Sequence, residues 1–122
     1  VRRLAVATAY NDDVNSRLRG FLEESGFEVL AMKGLGIVQI AGVNDVEQKD
    51  LLRFCISVFR TAPRADGMLV SCGGLRTLEI LAELERQTQV PVVSSTPHAL
   101  RAGVRLLGLS GRAAGYGRLL ST

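Results

Sequence analysis

Two groups of residues in this 122-residue chain have the types and spacing for chemistry on an anionic ligand. The first is Ser71-Cys72-Gly73-Gly74-Leu75, which follows the apolar run Gly67-Met68-Leu69-Val70 and opens a helical pattern beginning at about Leu75. A cysteine at the carboxyl end of a buried strand sits where open α/β sheets collect their ligands. Glycines behind it let backbone N–H groups approach closely, and a helix N-terminus there favours an anion. The segment thus offers a thiol and a carboxylate cradle at one point. The second group is Thr8-Ala9-Tyr10, at the end of the first apolar run. Each of these residues has two readings. Cys72 is either a small buried hydrophobe or an acid/base thiol, with the helix end favouring its thiolate and a bound carboxylate opposing it. Tyr10 either covers the sheet end or donates its phenol O–H to a carboxylate. Gly73 and Gly74 either relieve a tight turn or leave N–H groups free for an oxyanion.

The elements that must position these groups alternate along the chain. Leu4-Ala5-Val6-Ala7 reads as a buried strand over Arg3–Thr8. Asn11 or Asp12 caps a helix from about Asp13 to Glu24, with Val14, Leu18, Phe21 and Leu22 as its apolar face. A strand over Phe27–Met32 comes next, then a glycine-interrupted loop from Gly34 to Val46 with room for a short helical turn. The helix from about Asp45 to Thr61 carries Cys55 on its apolar face, so Cys55 reads as core. Gly67–Ser71 is the third strand. The helix expected over Leu75 to about Thr88 buries Leu75, Leu78, Leu81 and Leu84. Val90–Val93 is the fourth strand, and Ser94, Ser95 and Thr96 cap a last helix that holds Pro97 in its first turn and runs to about Leu107. From Gly108 to Thr122 the chain reads as irregular. Alternation of this kind implies right-handed crossovers and a four-stranded parallel sheet of order 2-1-3-4, with helices on both faces. The first and third strands are then neighbours at the switch point, so Tyr10 and Cys72 converge on one crevice.

Bulk properties narrow the classes. Apolar residues make up 47% and aromatics only 5%, which suits an aliphatic α/β core in a single domain over residues 1–122. The net charge of +3 comes from basic residues spread along the chain. That is the balance of a domain that attracts small acids, and it lacks the concentrated stripe of a nucleic-acid reader. Two cysteines without paired spacing give neither a disulfide framework nor a zinc site, and no histidine–carboxylate cluster suggests a metal. Reduced thiols, no apolar run of membrane-spanning length and no signal peptide lead to the expectation of a cytoplasmic protein with no membrane partner. His98, the sole histidine, reads as a surface or capping residue, and Asp12 and Asp13 as helix-capping acids.

Several blocks together carry a resemblance. Ala7-Thr8-Ala9-Tyr10, Asp12-Asp13-Val14-Asn15, Ser71-Cys72-Gly73-Gly74-Leu75 with Thr77-Leu78, Val90-Pro91-Val92-Val93-Ser94-Ser95 and Gly115-Tyr116-Gly117-Arg118-Leu119 resemble the arylmalonate decarboxylases. The wider relatives are maleate cis–trans isomerases and the aspartate/glutamate racemase superfamily. The resemblance covers essentially the whole chain, yet only the second of two α/β domains that such proteins arrange about a pseudo-twofold axis. It implies Cys72 as proton donor, Tyr10 as a carboxylate donor, and the backbone N–H of Gly73, with Gly74, as part of an oxyanion pocket. It implies decarboxylation of a substituted malonate without any cofactor. A racemase or isomerase using a second cysteine from a partner domain or subunit is the alternative, as is an inactive acid-binding domain. The implied partners are a small carboxylate or dicarboxylate and either a missing N-terminal domain or a second copy in a homodimer.

Overall fold

The computed structural model describes residues 1–37, 39–43, 45–71 and 74–122. Four strands, β1 (Arg3–Thr8), β2 (Glu28–Gly34), β3 (Gly67–Ser71) and β4 (Val92–Ser94), form one parallel sheet of order β2-β1-β3-β4. Thr8 pairs with Gly34 on one side and with Ser71 on the other, so three carboxyl ends finish at one level. The order expected from alternation is the order observed.

Period-two alternation divides β1 between two cores. Leu4 and Val6 point to the face of helix α1 (Asp12–Glu24), where they meet Leu22 and Val29. Ala5 and Ala7 point to the other face, against helices α3 (Gln48–Arg60) and α4 (Leu81–Thr88). Leu51, Cys55, Leu81 and Leu84 there are almost wholly buried. Each large aliphatic side chain removed from water contributes about 1.5–3 kcal/mol, which makes this the stabilising core. A four-residue helix, α2 (Ile40–Val43), lies in the expected loop and buries Val43. Helix α5 (Ser95–Leu106) follows β4 directly, and a short α6 (Arg118–Ser121) stands in the tail that reads as irregular.

Three expectations are corrected. The helix expected from Leu75 begins later: Leu75–Thr77 is not helical, a 3₁₀ turn spans Leu78–Ile80, and α4 starts at Leu81. Thr77 leaves the turn uncapped because its hydroxyl is hydrogen-bonded to Ser94 Oγ instead. No helix N-terminus therefore stands directly behind Gly74. The apolar face of α1 is used only in part. Leu22 is buried, but Val14 and Phe21 are 43% and 65% exposed, while the amide of Asn15 is buried. Ser94 is the N-cap of α5 without a side-chain cap bond; the ring Nδ1 of His98 sits 3.0 Å from the Ser94 backbone nitrogen and closes that turn. His98 is thus a capping residue.

One surface is left uncovered. No residue of the 12-residue helix α5 is buried. Leu100, Leu106, Leu107 and Leu109 are 67%, 89%, 79% and 62% exposed. Leu69 and Val93, register neighbours on β3 and β4, are only half-buried. No helix among the described residues is long and apolar enough to cross a membrane.

Candidate functional site at the carboxyl ends of β1 and β3

Tyr10 and Ser71 meet where the sequence brings their strands together. The Tyr10 hydroxyl lies 3.1 Å from Ser71 Oγ, and the Ala9 backbone N–H reaches the Ser71 carbonyl at 3.3 Å. Tyr10 is half-buried, with its phenol lying across the ends of both strands. Cys72 and Gly73, on which the thiol and oxyanion readings rest, lie outside the described residues. Ser71, the residue before Cys72, places that point of the chain at the switch point of the sheet.

The loop that carries Tyr10 is fixed from several sides. Asn11 caps α1 by accepting the Val14 N–H at 3.0 Å, so the helix begins one residue after Tyr10-Asn11. Backbone N–H groups of Leu35, Gly36 and Ile37 donate to the carbonyls of Thr8, Tyr10 and Ala9 at 3.0, 3.1 and 2.9 Å. Beneath them, Thr8 Oγ1 donates to Asn15 Oδ1 at 2.7 Å and accepts the Tyr10 N–H at 3.1 Å.

Gly74 is exposed, and the reason for a glycine there is spatial. A Cβ at this position would stand 2.9 Å from Cγ1 of Val43, closer than real Cβ atoms tolerate. Helix α2 therefore packs the buried side chain of Val43 against the glycine backbone. Val43, Ser71 and Asn15 carry no role in the sequence reading of the site. Strand alternation could have given Ser71, which stands in the same motif as Cys72.

The second cysteine is elsewhere. Cys55 has no exposed surface, and burial pushes its thiol up to about 12. A thiol in that state is packing, as its place on the apolar face of α3 predicts. Among the described residues no group of three His, Cys, Asp or Glu side chains converges to hold a metal ion.

A groove of about 510 Å³ adjoins the site without including Tyr10 or Ser71. Leu75, Pro97, Leu100 and Leu120 line it together with Arg76 and Arg112. Its walls are the segment after Gly74, one side of α5 and the C-terminal tail. The groove and the hydroxyl pair at the strand ends are thus separate features of the surface.

The chain matches known proteins over nearly its whole length. The sequence profile of arylmalonate decarboxylase matches residues 1–120. The chain is 47% identical over 120 residues to arylmalonate decarboxylase from Bordetella bronchiseptica, covering 98% of this chain and 50% of that protein. It superposes on unliganded arylmalonate decarboxylase with a TM-score of 0.90 at 45% identity, covering 99% of this chain and 52% of that one. Maleate isomerase from Pseudomonas putida S16 gives a TM-score of 0.88 at 27% identity, with 98% and 48% covered. The chain spans about half the length of the relatives it matches, and corresponds to half of their two-domain fold. With a profile match over nearly its full length and close identity to a characterised member, the chain belongs to the arylmalonate decarboxylase family.

Proposed function

We propose that this chain supplies one half of a cofactor-independent decarboxylase acting on substituted malonates of the aryl malonate type. The observation that carries the reading is the Tyr10–Ser71 hydroxyl contact, in a chain of this family: it sets a phenol O–H beside the strand end from which Cys72 continues. Tyr10 donates to one substrate carboxylate, with the N–H groups of Gly73 and Gly74 completing the donor set. The other carboxylate lies against apolar side chains, without water to stabilise its charge. Its C–C bond breaks, CO2 leaves, and the electron pair passes into an enediolate that the same donors hold. Cys72 then gives its proton to the carbanionic carbon, and the thiolate is reprotonated from solvent.

The bare face of α5 is, in this reading, the docking surface for the second unit that the matched relatives carry. Two observations support that occupant over a second copy of this chain. The relatives are about twice as long. Residues 95–122 hold four arginines and no acidic residue, so a self-paired contact would oppose like charges, whereas an apolar face rimmed by acids would complement it. Light scattering at micromolar concentration separates the two: a monomer agrees with a missing unit, and a stable dimer makes the second copy the occupant.

Similarity to maleate isomerase supports a second reading, in which a cysteine from the other unit works with Cys72 in isomerisation or racemisation. Assay in D2O decides between them. Aryl malonates turned over with one deuteron fixed at the α-carbon, and no turnover by Cys72→Ser, support the decarboxylase. Exchange or isomerisation without CO2 release favours the second reading. Activity unchanged in Cys72→Ser overturns both.

A further inference from the structure

We propose that Asn15, acting through Thr8, is a positioning residue that aims the Tyr10 phenol, a role that rests on the carboxylate-donor reading of Tyr10 above. Helix α1 buries only two of its 13 residues, Asn15 and Leu22. A buried amide costs free energy unless its polar atoms are satisfied, so its inward turn on a helix that leaves Val14 and Phe21 in water has a cause. That cause is Thr8, which has no exposed surface and whose hydroxyl donates to Asn15 Oδ1 at 2.7 Å.

A hydroxyl has one proton. With that proton held by Asn15, Thr8 Oγ1 turns a lone pair to the Tyr10 backbone N–H at 3.1 Å. The amide of Asn15 therefore sets the direction of the whole relay. On its far side the Tyr10 carbonyl accepts the Gly36 N–H at 3.1 Å, so Tyr10 is held at both of its backbone polar groups. Gly34 closes the box: a Cβ there would run into the Tyr10 carbonyl, the Asn15 amide and the Thr8 hydroxyl together. From this fixed backbone the phenol reaches Ser71 Oγ. Remove Asn15 and the Thr8 proton must find another acceptor, which frees the Tyr10 N–H and the direction of its ring.

The chain has two tyrosines and no tryptophan, which makes the phenol directly observable. Protein labelled with ¹³C at the tyrosine Cζ, in a Tyr116→Phe background, gives a single resonance from Tyr10. Ser71→Ala removes the hydroxyl partner and calibrates the shift. Asn15→Leu is expected to move the resonance by a comparable amount, although Asn15 is not a partner of the phenol. Thr8→Val, which keeps shape and deletes both bonds, is expected to do the same, and Thr8→Ser to restore the native position. A folded Asn15→Leu protein with lowered melting temperature and an unmoved Tyr10 resonance overturns the proposal. Should Asn15→Leu not fold, equal resonances in Thr8→Val and Thr8→Ser overturn it. Titration with phenylmalonate is a separate arm: no response of the Tyr10 resonance in the parent protein counts against the carboxylate reading, while the variants still decide the positioning role.

Discussion

Alkylation of the two cysteines tests the division of labour between them. Cys55 has no exposed surface, and its thiol is raised to about 12. At pH 8 that leaves a thiolate fraction of about 10⁻⁴, against roughly a quarter for an unperturbed thiol near 8.5. Ionisation alone slows Cys55 by ~10³-fold, before any cost of opening the core is added. Iodoacetamide is therefore expected to modify Cys72 to completion while Cys55 stays unmodified. Trypsin separates the two, since Arg53 and Arg60 bound the Cys55 peptide while Arg64 and Arg76 bound the Cys72 peptide. Mass analysis of a time course then gives both rates from one sample. Phenylmalonate is expected to protect Cys72 and leave Cys55 unchanged, and Cys55 is expected to label only in urea beyond the unfolding transition. Equal, slow labelling of both cysteines in buffer would refute the reading of Cys72 as a site thiol. Rapid labelling of Cys55 would refute its place in the core.

Three further outcomes are expected. Because burial holds the folded-state pKa of Cys55 above that of a free thiol, the stability it contributes as a protonated thiol is complete below about pH 9 and lost as pH rises toward 12. By pH 10.5 the parent should have lost roughly 2 kcal/mol that Cys55→Ala does not lose, measured by urea unfolding across pH; parallel curves would sink the idea. Glu85, 6% exposed, accepts the backbone N–H of Val92 at 2.9 Å and of Arg118 at 2.8 Å. Glu85→Ala should therefore cost roughly 2–4 kcal/mol by thermal unfolding, and a loss below about 1 kcal/mol would show the tail is not pinned there. Leu107→Glu, on the bare surface at the end of α5, should leave the stability of this chain within about 0.5 kcal/mol but weaken any protein in which the second unit is present. A large loss in the chain alone would mean that α5 is already packed.

The elements that spell out the fold in the sequence are those whose partners lie inside this chain. Ala5, Ala7, Met68 and Val70 alternate against Leu51, Cys55, Leu81 and Leu84, all within one core, so their spacing specifies the sheet and its order. The same leucine spacing misplaces the start of α4, because Leu75 and Leu78 suit an irregular segment and a 3₁₀ turn as well as a helix; what decides is the Thr77–Ser94 hydroxyl pair, a contact between distant residues. Helix α5 shows the converse. Leu100, Val104 and Leu107 recur at helical spacing, yet Leu100 and Leu107 are exposed and Val104 is only half-buried, since a pattern records that a face is apolar and not what covers it.

The place of Tyr10 beside the end of β3, where its hydroxyl meets Ser71, was legible because topology alone sends the end of β1 there. Asn15 was not legible. A polar residue between Val14 and Ser16 reads as solvated, and only Thr8, buried at the end of β1, gives its amide a reason to face inward. Natural sequences break their local patterns where another demand outweighs them. On α1 the break lies in trading a valine and a phenylalanine to solvent for one buried amide. A helix selected for stability alone would bury Val14 and Phe21 and leave Asn15 in water. That this one buries Asn15 directly beneath the loop that carries the phenol is what the positioning role proposed above requires.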